Sequence, residues 1–204
     1  MLNQPIVHGG QSLSRKERRL AKKQAQKKPQ AISNDYALVA QLKQAEEAER
    51  SGQLELAAKL YADLLDLRKD AAVAQFNAAN FFQRNQRPDI AYAGFKNAVV
   101  LEPANADYWE RLGRHLSVAG QNEAAVIAYK RVCALKPTDH TGFLALANAH
   151  GANGEPQQAL AAADIVVNLL PDYSTGHYRR GVYLGALGKF EESHLALYKA
   201  LELD

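Results

Sequence analysis

The sequence predicts an all-α solenoid, five copies of one helical hairpin stacked in series between residues 35 and 204. Three observations carry that prediction. Small and apolar residues recur in register every 34 residues. Within each copy they fall at helical spacing, and glycine and proline mark the same two joints of nearly every copy. A fixed period in this range is the mark of a repeat array.

Slid against itself by 34 residues, the chain needs no insertion from 38 to 204. Gly52, Gly120, Gly154 and Gly188 form one column, interrupted by Gln86. Ala57, Ala91, Ala125 and Ala159 form a second, interrupted by Ser193. Tyr61, Phe95, Tyr129, Ala163 and Leu197 form a third, and Pro103, Pro137 and Pro171 a fourth.

The first repeat, 38–71, predicts helices over 38–51 and 54–68 with Gly52 at the joint. It carries Gln41 and Lys69 where later copies place Trp109 and proline, which marks it as a weak or capping repeat. The second, 72–105, predicts helices over 72–85 and 88–101. Pro88 opens the latter, where a missing N–H costs nothing. The third, 106–139, predicts 106–119 and 122–135. Trp109, Leu112, Gly113 and Leu116 fall on one face at i, i+3, i+4 and i+7, and Gly113 leaves room for a neighbouring helix. Gly120 suits the left-handed cap that ends a helix. Ala125, Tyr129 and Val132 make the inner stripe of the second helix, and Pro137 ends it. The fourth, 140–173, predicts 140–153 and 156–169, the latter opened by Pro156. The fifth, 174–204, predicts 174–187 and 190–203, with His177 and Arg180 where Trp109 and Leu112 stand. Helices this short are marginal alone in water. They become stable when each hairpin buries its apolar stripe against the next.

The run W-x-x-L-G-x-x-L followed by G, A, Y/F and P resembles the tetratricopeptide repeat, over about 167 of the 204 residues. The resemblance implies a right-handed superhelix whose concave wall is made by the first helix of each repeat, and a groove there that holds an extended peptide. Residues beside the core stripe on those helices are the candidates to line it: Lys43, Glu46, Asn77, Asn80, Arg84, Arg111, Arg114, Asn148, Tyr178 and Arg179. An amide side chain donates and accepts at once. Asn77, Asn80 and Asn148 therefore suit a peptide backbone, as in the asparagine ladder of the nucleocytoplasmic O-GlcNAc transferase. Arg111 and Arg114 carry two readings. They suit a carboxylate or phosphate on a ligand, and they also follow Asp107 and Glu110 by four residues, the favourable order for surface pairs. The two-carboxylate clamp of chaperone-tail-binding members would align with Leu42, Glu46, Asn77, Asp107 and Arg111. Only Asn77 and Arg111 fit, which disfavours chaperone tails.

The last helix carries Leu195, Leu197, Tyr198, Leu201 and Leu203 with no following repeat in the sequence to cover them. Three readings stand: this is the front part of a longer polypeptide, the face docks on another subunit, or the exposure is small and harmless.

The formal charge of +3 is unevenly placed. Residues 1–34 hold eight Lys/Arg against one acid, Glu17, for +7, so a basic arm precedes a mildly acidic body. Within it, SRKERRLAKKQAQKK, residues 14–28, is too polar to bury against a core and reads as a solvated, partly helical, mostly disordered arm. Such an arm suits either solubility or transient nucleic-acid contact by counterion release, although no aromatic residue is interleaved to stack bases.

The single cysteine, Cys133, excludes an internal disulfide and a cysteine-based zinc site. It sits in an apolar run and reads as a core residue. No apolar run reaches the ~18 residues of a membrane span, and no secretory signal opens the chain, so the expected location is cytoplasmic. The six histidines show no metal-pair spacing, and no catalytic constellation, metal site or cofactor motif is found. The expected function is a non-enzymatic scaffold that binds other proteins through the concave groove. The alternative is the recognition segment of a bacterial sulfotransferase, methyltransferase or O-linked glycosyltransferase-like protein whose catalytic domain lies beyond this sequence.

Overall fold

The computed structural model describes residues 36–204. The basic arm expected at 1–34 lies outside the described residues. Ten helices run through them: α1 (36–50), α2 (Leu54–Leu67), α3 (Ala72–Arg84), α4 (Pro88–Leu101), α5 (Ala106–Val118), α6 (Asn122–Leu135), α7 (His140–Ala152), α8 (Pro156–Leu169), α9 (Ser174–Ala186) and α10 (Phe190–Glu202). No strand occurs among the described residues. Each expected helix is present, and its ends fall within two residues of those expected.

The joint inside every hairpin is the same turn. Gly52, Gly120, Gly154 and Gly188 adopt φ between +71° and +75°. The amide of the residue after each glycine then reaches back five residues: Gln53 to Ala48, Gln121 to Leu116, Glu155 to His150 and Lys189 to Leu184, at 2.9–3.0 Å. This is the Schellman pattern, which satisfies carbonyls the helix end would otherwise orphan. Gln86 breaks the glycine column but not the turn. It adopts φ 58°, and Arg87 N–H reaches Phe82 O at 2.8 Å. The proline joints also form as expected, with Pro88 and Pro156 at the first helical position of α4 and α8.

Packing is serial. α3 pairs with α4, α5 with α6, α7 with α8 and α9 with α10, and each pair docks on the next through α2–α3, α4–α5, α6–α7 and α8–α9. The hairpins stack as a right-handed superhelical solenoid rather than closing into a bundle. α7 also touches α9, so first helices meet directly along the inner face.

The alanine column sits fully inside at Ala57, Ala91, Ala125 and Ala159, with Tyr61, Phe95 and Tyr129 stacked above it. Its fifth member is the buried Ser193, whose hydroxyl donates to Gly181 O at 2.8 Å, so the buried polar group is satisfied. A Cβ on Gly113 would lie 3.0 Å from the Tyr129 ring, so the close approach expected of Gly113 is real. Cys133 is buried, and burial pushes its thiol up to about 11. It is therefore protonated and unreactive near neutrality.

Other departures from the repeat are answered inside the fold. Trp109 donates from Nε1 to Pro103 O at 3.0 Å, and His177, its counterpart, meets Pro171 O through Nε2 at 2.7 Å. Gln75, in the same column, is fully buried and donates to Leu65 O at 3.0 Å and Arg68 O at 3.3 Å. Three chemically different side chains thus bind the carbonyls that end the preceding hairpin. Arg180, standing in a leucine position, pairs through Nε with Asp164 of α8 at 2.7 Å.

Candidate peptide-binding groove

The inner face of the first helices carries three recesses. The recess between α1, α2 and α3, of about 400 Å³, is lined by Glu46, Glu49, Arg50, Tyr61, Asn77, Asn80 and Arg84. A small dip of about 70 Å³ between α3, α4 and α5 is lined by Gln83, Phe95, Arg111, Arg114, His115 and Val118. The recess between α7, the start of α8 and α9, of about 550 Å³, is lined by Asn148, Gly151, Ala152, Pro156, Arg179, Val182, Tyr183 and Ala186. Eight of the ten residues expected to line a groove fall in these three places. Lys43 is exposed on α1 outside them. Tyr178 turns toward α10 and lines a separate recess of about 430 Å³ with Ser174, Thr175, Leu197, Ala200, Leu201 and Asp204.

The side chains differ in how free they are. Asn80 donates from Nδ2 to Phe76 O, one turn back on its own helix, at 3.0 Å. Its carbonyl oxygen is left to accept. Asn148 is held the other way: Tyr183 O–H donates to Asn148 Oδ1 at 3.2 Å, which leaves the Asn148 amide N–H groups to donate. Asn77 makes no side-chain hydrogen bond among the described residues. Two amides at opposite ends of the face thus present complementary halves, an assignment set by the hydrogen-bond network around each.

Arg84 is not free. Its Nη2 donates to both oxygens of Glu49, at 2.8 and 3.0 Å, and its Nε to Oε1 at 3.2 Å. Tyr61 O–H also donates to Glu49 Oε2, at 3.3 Å. Burial, then the charge of Glu49, pushes the Tyr61 phenol up to about 12, so it stays a donor. Glu49 therefore ties the first hairpin to the second. The surface pairs expected on α5 form only in part. Arg114 meets Glu110 at 2.6 Å, but Asp107 pairs at 2.8 Å with Lys136, the residue that caps α6, and leaves Arg111 without an acidic partner among the described residues. The ammonium at the end of α6 lies within reach of Asp107 and wins the pair.

The buried histidines belong to the core. Nδ1 of His115 meets Gln83 Oε1 at 2.5 Å, which requires the Nδ1–H tautomer, and burial pulls its pKa down. His150 is hydrogen-bonded through Nδ1 to Glu155, which also accepts from Asn153 at 2.8 Å. No group of three His, Cys, Asp or Glu is placed to hold a metal ion among the described residues, and no helix among them is long and apolar enough to cross a membrane.

Glu49, Tyr183, Val118 and Val182 belong to this face and were not singled out from the sequence. Glu49–Arg84 and Asn148–Tyr183 each join residues 35 apart, one off the repeat period. Comparing columns at 34 passes over such pairs; opposite charges at 35 would have pointed to the first.

Hairpins stacked in series, each docked on the next, define an α-helical repeat protein. The family model described as tetratricopeptide repeat matches residues 78–140 and 144–204, more than half of the chain. The chain belongs to the tetratricopeptide repeat family. Solved structures share the fold at low identity. One, a crystal structure of MamA, is 20% identical with a TM-score of 0.70, covering 78% of this chain and 93% of its own. MamA from Desulfovibrio magneticus RS-1, residues 41 to the end, is 17% identical with a TM-score of 0.70, covering 81% and 94%. YrrB, described as a tetratricopeptide repeat protein with an unusual peptide-binding site, is 22% identical with a TM-score of 0.72, covering 86% and 91%.

Proposed function

We propose that this chain is a non-enzymatic scaffold that grips an extended peptide segment of another protein along the inner face of α1, α3, α5, α7 and α9. Membership of the tetratricopeptide repeat family supports the general role in protein–protein interaction. One observation carries the finer reading: three recesses follow one another on a single face, with Asn80 offering an acceptor and Asn148 offering donors toward it. An extended backbone needs that alternation of partners. The peptide-binding site named for YrrB adds support from a protein of the same fold.

The test is selection from a displayed library of random twelve-residue peptides, with the affinity of the selected peptides measured by fluorescence anisotropy. The double variant Asn80→Ala/Asn148→Ala is expected to weaken them about tenfold, the loss of one or two hydrogen bonds, with helix content and melting nearly unchanged. Peptides that bind the double variant as tightly as the original chain would end the groove reading.

A further inference from the structure

Some cations along the inner face are answered within the fold and others are not. Arg84 is clasped by Glu49, Arg50 meets Glu46 at 3.6 Å, and Arg114 meets Glu110. Arg111 and Arg179 have no carboxylate partner among the described residues. They hold the same position two repeats apart, so both project from first helices onto the same wall. Lys43, a further two repeats upstream, continues that column and is likewise unpaired.

Each arginine has an exposed valine in its recess. Val118 lines the dip with Arg111 and is 78% exposed; Val182 lines the large recess with Arg179 and is 39% exposed. The recess at α1–α3 contains no valine, and both of its arginines, Arg50 and Arg84, are paired with carboxylates. Arg179 adds a sharper observation. Its Nε is shielded from solvent and has no acceptor among the described residues, while its guanidinium lies over the Tyr178 ring, 5.6 Å from the centroid. A buried donor without a partner is costly to leave so, and the free amide N–H groups of Asn148 share that recess.

We propose that the α5–α9 half of the groove reads an acidic segment in which carboxylate side chains stand beside aliphatic ones. Arg111 takes one carboxylate and Arg179 another, while Val118 and Val182 hold the neighbouring apolar side chains. The proposal rests on the peptide-groove reading above and names the chemistry of the partner. Guanidinium suits this task because its planar fork meets both oxygens of a carboxylate. A basic segment is repelled, and the eight Lys/Arg of residues 1–34 make the chain's own arm a poor occupant.

The same library selection tests the proposal, read for composition and repeated against Arg111→Gln/Arg179→Gln. Neither arginine has a carboxylate partner among the described residues, so the double variant is expected to melt as the original chain does, checked by circular dichroism. Selected peptides should be enriched in Asp or Glu adjacent to Val, Leu or Ile. They should lose about tenfold or more in affinity for the double variant, and bind the original chain more weakly as salt rises. Selected peptides without acidic enrichment, or equal affinity for the double-arginine variant, would overturn it. If such peptides still weaken with Asn80→Ala/Asn148→Ala, the groove reading stands and only its acidic preference falls. If neither double variant weakens them, both readings fall.

Discussion

Gln86 shows at the scale of one residue what the repeat requires. The four glycines of its column have open space where a Cβ would be, so nothing steric demands glycine there. What selects glycine is backbone conformation, since φ near +70° is strained for residues with a side chain. Gln86 takes that conformation because the turn around it is imposed by the two helices it joins, and it bears the strain. Gln86→Gly is therefore expected to stabilise the chain by about 1 kcal/mol, and Gly120→Gln to destabilise it by a similar amount, both measurable by urea denaturation. No gain for Gln86→Gly would mean that the strain is relieved in a way the backbone angles do not show.

Between elements, glycine acts through space instead. In α4, a Cβ on Gly94 would fall 2.8 Å from Ala79 Cβ and 2.8 Å from Gln75 O on α3. The carbonyl belongs to a helix backbone that cannot give without disturbing its own ladder. Gly94→Ala should gain about 1 kcal/mol in helix propensity and lose about 1–3 kcal/mol to overpacking. The expected net effect is a lowered melting temperature and a loosened α3–α4 hairpin, read by calorimetry and by faster amide exchange in α3. A raised melting temperature would show that the hairpin can open to admit the methyl group. The same scale explains why sequence departures do not break the array. Gln75, Trp109 and His177 differ in size and chemistry, yet each supplies a donor to the end of the preceding hairpin.

For the whole molecule, stability is a sum over neighbouring hairpins, so an end face contributes little to it. Leu195 and Leu201 of α10 are 71% and 76% exposed, and Tyr198 stands open beside them. Leu197, expected on the same open face, is instead packed against Gly181, where a Cβ would meet its Cγ at 2.7 Å. Leu195→Glu/Leu201→Glu should accordingly leave thermal unfolding within about 0.5 kcal/mol of the original chain. A large loss would show that this face is covered in solution, since exposed leucines have little packing to lose. Leu197→Ala, by contrast, should destabilise the fifth hairpin.

Much of this architecture is written along the chain. Helix limits, the joints, the alanine stripe and the stacking order all follow from a pattern that is local and repeated. A hairpin buries the same stripe in the same way each time, so one dimension suffices to read it. The candidate groove was legible only as a set of positions on the first helices; Asn77, Asn80, Arg111, Asn148 and Arg179 line recesses there, while Tyr178 faces α10. Which of those side chains is free was decided by the tertiary structure. Asp107 had Arg111 four residues along its own helix and Lys136 at the end of the next, and the packing of α5 on α6 within the hairpin placed the lysine nearer; the stacking of one hairpin on the next gave Glu49 its partner Arg84 from a different repeat. Periodicity sets where a side chain stands, but choice among competing partners depends on the rotation and separation of whole helices, which no spacing along the chain encodes.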